Sequence, residues 1–177
     1  MRAFGQAARR ATAVVVPGLL VAACVPAGHL AGARAPAPTF DAIAFFAGDT
    51  RGVGSLKVMT RRREPVRVAG HGVVTPDDAI VLTQDVRRGD RAVVHRTWHL
   101  HMVAPGRLAG TLSDAAGPVA GDVHGNTLHL AFAMPHGLRA QQWLVLQPGG
   151  RESRNRLVIT KWGLPVASLD ETITRLR

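Results

Sequence analysis

From residue 54 onward, apolar and polar residues alternate with a period of two, in short runs set off by Gly, Pro and Asp. That spacing sends successive side chains to opposite faces of an extended chain and marks half-buried strands. Such runs lie at residues 55–60, 66–75, 79–86, 92–102, 107–113, 127–134, 142–147 and 155–162. The links between them are short, as in Arg88-Gly89-Asp90 and Ala104-Pro105-Gly106, and short links join antiparallel neighbours. No helix-length segment separates the runs, which argues against parallel crossovers. About eight consecutive strands shed their edges by closing into an up-and-down barrel, whose interior suits one small ligand.

The flanks of this pattern are less regular. Thr39 is placed to cap a short helix over residues 40–46, ended at Gly48, and its Phe40, Ile43, Phe45 and Phe46 suit a lid on a core. Near the C-terminus, Ser168 and Glu171 have capping-box spacing, whereas Thr172-Ile173-Thr174 alternates like a closing strand; the strand is the preferred reading. The Gly-rich stretch 117–126 reads as turns, with Asn126 tying a loop at the barrel mouth or facing a ligand there.

The N-terminus carries an address. Arg2, Arg9 and Arg10 precede an apolar stretch, residues 11–23, that is too short to span a bilayer and is broken by Pro17 and Gly18. Val21-Ala22-Ala23-Cys24 resembles the bacterial lipobox, in which the Cys is acylated before cleavage; ordinary secretion with cleavage near Ala33 or Ala35 is the alternative. The expected organisation is a signal peptide at 1–23, a lipidated tether at 24–38 and a barrel domain at 39–177. Val25 stands where an inner-membrane retention signal would have Asp, so sorting to the outer membrane, facing the periplasm, is expected.

Composition narrows the chemistry. A chain of 177 residues builds one core, and a single Cys excludes a disulfide framework and every multi-Cys metal site. Lys and Arg total 22 against 12 Asp and Glu, nearly all of the excess being Arg. Arg61-Arg62-Arg63 sits at a predicted hairpin tip with Arg67 behind it, but no aromatic-studded basic surface accompanies it. In an exported protein, that cluster points to anionic headgroups or lipid A phosphates, or to an ordinary solvated turn, rather than to nucleic acid. Gly52-Val53-Gly54 lacks the third glycine and following helix of a dinucleotide site, and no phosphate loop occurs, so no cofactor is expected.

From Phe45 onward the chain resembles a family of short proteobacterial lipoproteins known only as a domain of unknown function. The resemblance rests on Phe45-Phe46-Ala47-Gly48, Arg96-Thr97-Trp98, the run Gly110…Asp114…Gly117…Gly121…Gly125-Asn126, then Asn155-Arg156 and Lys161-Trp162-Gly163. It implies an all-β, lipocalin-like (calycin) barrel and a setting beside membrane lipid modification. Where the family pattern has two acidic residues before a Trp, this chain has Gln141-Gln142-Trp143.

The run at 92–102 is the most informative for chemistry. Val94, Arg96, Trp98, Leu100 and Met102 share one face, so Arg96 points inward with the apolar residues. A buried guanidinium requires a partner. Either Asp114, which continues the phase of Leu108 and Leu112, pairs with it, or Arg96 with Lys161 holds the carboxylate or phosphate of a lipid-like ligand. Trp98 and Trp143 would then line the pocket, or serve as core aromatics. His95, His99 and His101 share the opposite face; with no Asp, Glu or Cys to complete a tetrahedral set, a solvated face is expected rather than a metal site.

These features together predict a non-enzymatic, membrane-tethered barrel that binds a fatty acid, phospholipid or similar apolar ligand. The competing expectation is an envelope interaction module with a filled barrel, binding a protein or lipid A through its basic surface. A lipid-modifying enzyme would need a convergent polar constellation in the pocket.

Overall fold

The computed structural model describes residues 38–176. The leader, Cys24 and the tether up to residue 37 lie outside the described residues. The remainder is a closed antiparallel barrel fronted by a short helix, α1 (Ala42–Phe46). Its strands are β1 (Gly48–Val58), β2 (Glu64–Val74), β3 (Ile80–Arg88), β4 (Val94–Ala104), β5 (Arg107–Leu112), β6 (Val119–His124), β7 (Thr127–Met134), β8 (Leu138–Leu146), β9 (Glu152–Lys161) and β10 (Leu164–Arg175). Every strand pairs with its neighbours in sequence, and β1 pairs with β10 from Thr50↔Arg175 to Val58↔Ala167. Closure leaves no sheet edge exposed. No helix among the described residues is long and apolar enough to cross a membrane.

The C-terminal segment is the closing strand, not a capped helix. The stretch read as turns at 117–126 contains a full strand, β6. Its apolar signal is weak because Gly121 takes an inward position, where Leu130 and the Cβ of Leu108 leave little room for a side chain. β1 likewise begins at Gly48, ahead of the predicted start at residue 55, because Gly52 and Gly54 blank its inward positions.

Helix α1 closes one end of the barrel. Its N-cap is Asp41 rather than Thr39: Asp41 Oδ1 accepts from the Ala44 N–H at 2.9 Å. The helix stops at Ala47, which is extended, and Gly48 turns the chain into β1 at φ +81°. Phe40, Phe45 and Phe46 are all buried; the Phe45 ring lies 5.2 Å from that of Phe40 and 5.0 Å from that of Phe46. They join Ile80, Leu82, Leu100, Leu128 and Leu144 in the main core. The Phe40 N–H donates to Gly125 O at 2.8 Å and fastens the lid to the β6–β7 turn. Leu56, Val66 and Val86 form a smaller apolar cluster towards the opposite end.

The lid needs a glycine beneath it. A Cβ on Gly72 would collide with the Phe46 carbonyl, a backbone atom that cannot swing aside. Gly72→Ala is therefore expected to destabilise the protein by about 1–3 kcal/mol, in the range of other overpacked sites. Urea unfolding would show the loss, and a midpoint equal to the wild type would mean that the lid is not seated as described.

Candidate functional site

The inward faces of β2, β3, β4, β7, β8, β9 and β10 enclose a cavity of about 60 Å³ between the lid and the smaller cluster. Its wall is mostly apolar, with Phe46, Val66, Val68, Leu82, Val86, Trp98, Leu100, Leu130, Leu157, Leu169 and Ile173. Five polar side chains break that wall: Gln84, Arg96, Gln142, Asn155 and Glu171. Each occupies an inward position of its strand, so strand alternation, rather than loop placement, gathers them.

Arg96 does point inward, and Asp114 is its partner. Arg96 Nε lies 2.8 Å from Asp114 Oδ2, with both side chains about one-third exposed (29% and 34%). The contact is an ion pair off the N–H direction, since Nε and Asp114 Oδ1 make no hydrogen bond among the described residues. Trp98 is buried in the wall; its indole N–H donates to Gln84 Oε1 at 2.8 Å and its ring meets Phe132 edge-on at 5.6 Å. Val94 and Met102, on the same face, are exposed because they lie at the ends of β4, beyond the packed interior.

Three of the candidate residues fall elsewhere. Trp143 faces outward, because its neighbours Gln142 and Leu144 point in, and it stacks on His129 at 5.1 Å. Lys161 ends β9 far from Arg96, with its ammonium 4.8 Å above the Trp162 ring. Asn126 is buried at the lid end, where its Nδ2 donates to Leu146 O at 3.1 Å and ties the β6–β7 turn to β8. His99 and His101 are exposed, and His95 Nδ1 lies 2.6 Å from Asp85 Oδ1 on the outer surface. Among the described residues, no three His, Cys, Asp or Glu side chains are placed to hold a metal ion.

The residue missing from the sequence expectation is Glu171. Its signal was available: Glu171 shares the phase of Leu169 and Ile173 once the tail is taken as a strand. The side chain is only 9% exposed, and Oε2 accepts from Asn155 Nδ2 at 2.8 Å. Its other oxygen, Oε1, and Asn155 Oδ1 are buried without a hydrogen-bond partner among the described residues. Gly52 and Gly54 make the space for it, since a Cβ at either would collide with Glu171. Burial pushes the Glu171 carboxyl above its ordinary value; the Asn155 hydrogen bond and the charge of Arg96 oppose that push.

The model for a protein of unknown function, DUF3833, matches residues 19–175. The chain belongs to this family. No curated protein matches it. Three solved structures resemble this DUF3833 barrel. The S-type phycobiliprotein lyase CPES of Guillardia theta has a TM-score of 0.61 at 12% identity, covering 76% of this chain and 90% of that one. Rv2717c of M. tuberculosis has 0.59 at 18%, covering 77% and 96%. A protein of unknown function from the DUF3598 family of Nostoc punctiforme has 0.59 at 14%, covering 84% and 54%. At these identities the likeness establishes a calycin-like barrel, a fold able to enclose a small apolar ligand, and nothing about chemistry.

The raised Glu171 gives the DUF3833 barrel a distinctive pH response. The folded protein holds that proton more tightly than the unfolded chain, so this residue's contribution to stability declines as pH rises from the ordinary carboxylate range through the raised value. Glu171→Gln can still accept from Asn155 and carries no charge to desolvate. Chemical unfolding at acidic and neutral pH should show the variant gaining on wild type as pH rises, with the smallest difference on the acid side. A constant difference across pH would show that Glu171 titrates normally.

Proposed function

We propose that this protein is a membrane-tethered envelope lipoprotein, non-enzymatic, whose barrel binds an apolar ligand with a hydrogen-bonding head. The observation that carries this reading is the polar set inside an apolar wall, with Glu171 Oε1 and Asn155 Oδ1 buried and lacking hydrogen-bond partners among the described residues. Both atoms are acceptors; an unmet buried acceptor costs about 1–3 kcal/mol, and a ligand head that carries a donor, such as a hydroxyl or a protonated carboxyl, meets it directly. Arg96, about one-third exposed beside Asp114, supplies the positive charge that suits a carboxylate or phosphate. Fatty acids and hydroxyl-bearing phospholipids fit that description, in keeping with the setting beside membrane lipid modification that the family resemblance implies. The anchor at Cys24 and the outer-membrane address rest on the leader sequence.

The cavity also limits the ligand. Drug-sized sites run to about 300–1,000 Å³, whereas this one is about 60 Å³. A single acyl segment fits only if side chains of the smaller cluster, Leu56, Val66 and Val86, move aside. That shortage of space favours a second reading, in which the barrel is filled and the protein acts as an envelope interaction module through its basic surface.

Organic-solvent extraction and mass spectrometry of protein purified from a bacterial envelope separates the two. A stoichiometric fatty acid or phospholipid, and displacement of a fluorescent fatty acid by it, is the expected result. Arg96→Leu should weaken probe binding at least about tenfold, the loss of one charge-assisted hydrogen bond. It should fold, because the partly exposed pair with Asp114 contributes only about 1 kcal/mol. An empty extract with no probe binding would leave the interaction module as the function.

A further inference from the structure

The three most exposed large apolar side chains among the described residues are Trp162 (86%), Leu164 (68%) and Met59 (67%). All three sit in two adjoining hairpins at the end of the barrel opposite the lid. β1 and β10 pair there, and the Met59 N–H donates to Val166 O at 2.9 Å, locking one hairpin to the other. The same hairpins carry Lys57, Arg61, Arg62, Arg63 and Lys161. Among the described residues, Arg63 reaches Asp170 at 3.4 Å, while Lys57, Arg61, Arg62 and Lys161 have no acidic partner. The acid that starts β2, Glu64, is held by Arg91 at 2.9 Å.

The backbone adds an independent observation. Met59 and Trp162 adopt φ of +41° and +51°, the left-handed region in which a bulky side chain is strained and Gly or Asn is at ease. Both side chains are exposed, the Trp162 ring with the Lys161 ammonium 4.8 Å from its centre. Strain retained at an exposed apolar residue points to a use outside the folded core.

We propose that this end of the barrel docks on an anionic lipid bilayer, with Trp162, Leu164 and Met59 entering the headgroup region and the surrounding cations meeting lipid phosphates. Trp favours the membrane–water interface, and uncompensated Lys and Arg supply the attraction to anionic lipid. Three exposed apolar side chains ringed by cations suit shallow insertion into a bilayer. The proposal gives the basic-surface reading a location and a partner class, and it does not depend on a ligand in the cavity.

The test uses full-length protein reconstituted into phosphatidylcholine vesicles, with and without phosphatidylglycerol, their acyl chains brominated to quench nearby Trp. Any N-terminal anchor stays constant across variants, so the readout is contact by the far end. Of the three Trp residues, Trp98 is buried, so a quenched, blue-shifted component of up to about a third of the emission is expected in anionic vesicles. Trp162→Gly, which suits the left-handed backbone, should abolish that component while keeping or raising the melting temperature. Arg61→Gln with Arg62→Gln should lower the preference for anionic vesicles about fivefold per charge removed. Quenching that is unchanged in Trp162→Gly, or absent from both vesicles, overturns the proposal. So does cross-linking from position 162 to an envelope protein without lipid quenching. Fatty-acid probe binding is measured separately, so failure of the cavity reading and failure of docking are distinguishable.

Discussion

The pairing of β1 with β10 is the contact on which the other features depend. It joins strands at opposite ends of the described chain, Thr50 with Arg175, so loop closure must be met before this ladder contributes. Without it the sheet would present two long edges and no enclosed interior. The same register sets Gly54 opposite Glu171 and so makes room for a carboxyl in the barrel wall. At its far end it brings the β1–β2 and β9–β10 hairpins side by side, which gathers Met59, Leu164 and Trp162. One seam therefore determines the closed core, the unusual buried acid and the exposed apolar tip.

Inside the barrel, two kinds of polar burial are handled differently. Trp98 and Gln84 satisfy each other by a single hydrogen bond, leaving the indole as an apolar wall element with its N–H met. Glu171 and Asn155 differ: one hydrogen bond joins them, and each keeps a buried oxygen without a partner among the described residues. A core selected for stability alone would replace such a pair with apolar side chains of like volume, often at no loss. Two glycines on β1 are arranged to admit the carboxyl, which makes its presence a feature of the strand register and not an accident of one residue.

Much of this was legible in the sequence, because period-two alternation and short turns depend on local chemistry. The strand at the C-terminus, the inward Arg96, its partner Asp114 and the tie made by Asn126 all follow from phase and turn residues. The failures share a cause. β6 and the start of β1 were hidden because glycines occupy their inward positions, and a glycine carries no hydrophobic signal even where close packing requires it. Trp143, expected in the pocket or core, lies outside because strand phase sets the side of the sheet, and Gln142 and Leu144 take the inner face. Asp41 caps the helix in place of Thr39 because the first turn begins two residues later. Glu171 was missed because the tail was read for its secondary structure and not for what its alternation would bury.

The two ends of the barrel are built for different surroundings. The lid end is sealed by three phenylalanines, a backbone tie to Gly125 and a glycine at position 72 that lets the helix sit flush. Displacing that plug would expose several fully buried aromatic side chains, each worth about 1.5–3 kcal/mol of burial. The opposite end carries the smaller cluster, Leu56, Val66 and Val86, with partly buried Val58, Val68, Ala167 and Leu169 against them. Passage between solvent and the cavity is therefore cheaper there. That end also carries the exposed apolar tip and the unpaired cations, so the easier entrance and the proposed bilayer contact coincide. An apolar molecule leaving a membrane at this end would cross from lipid to barrel wall with little exposure to water, which is where the hydrophobic cost of transfer arises.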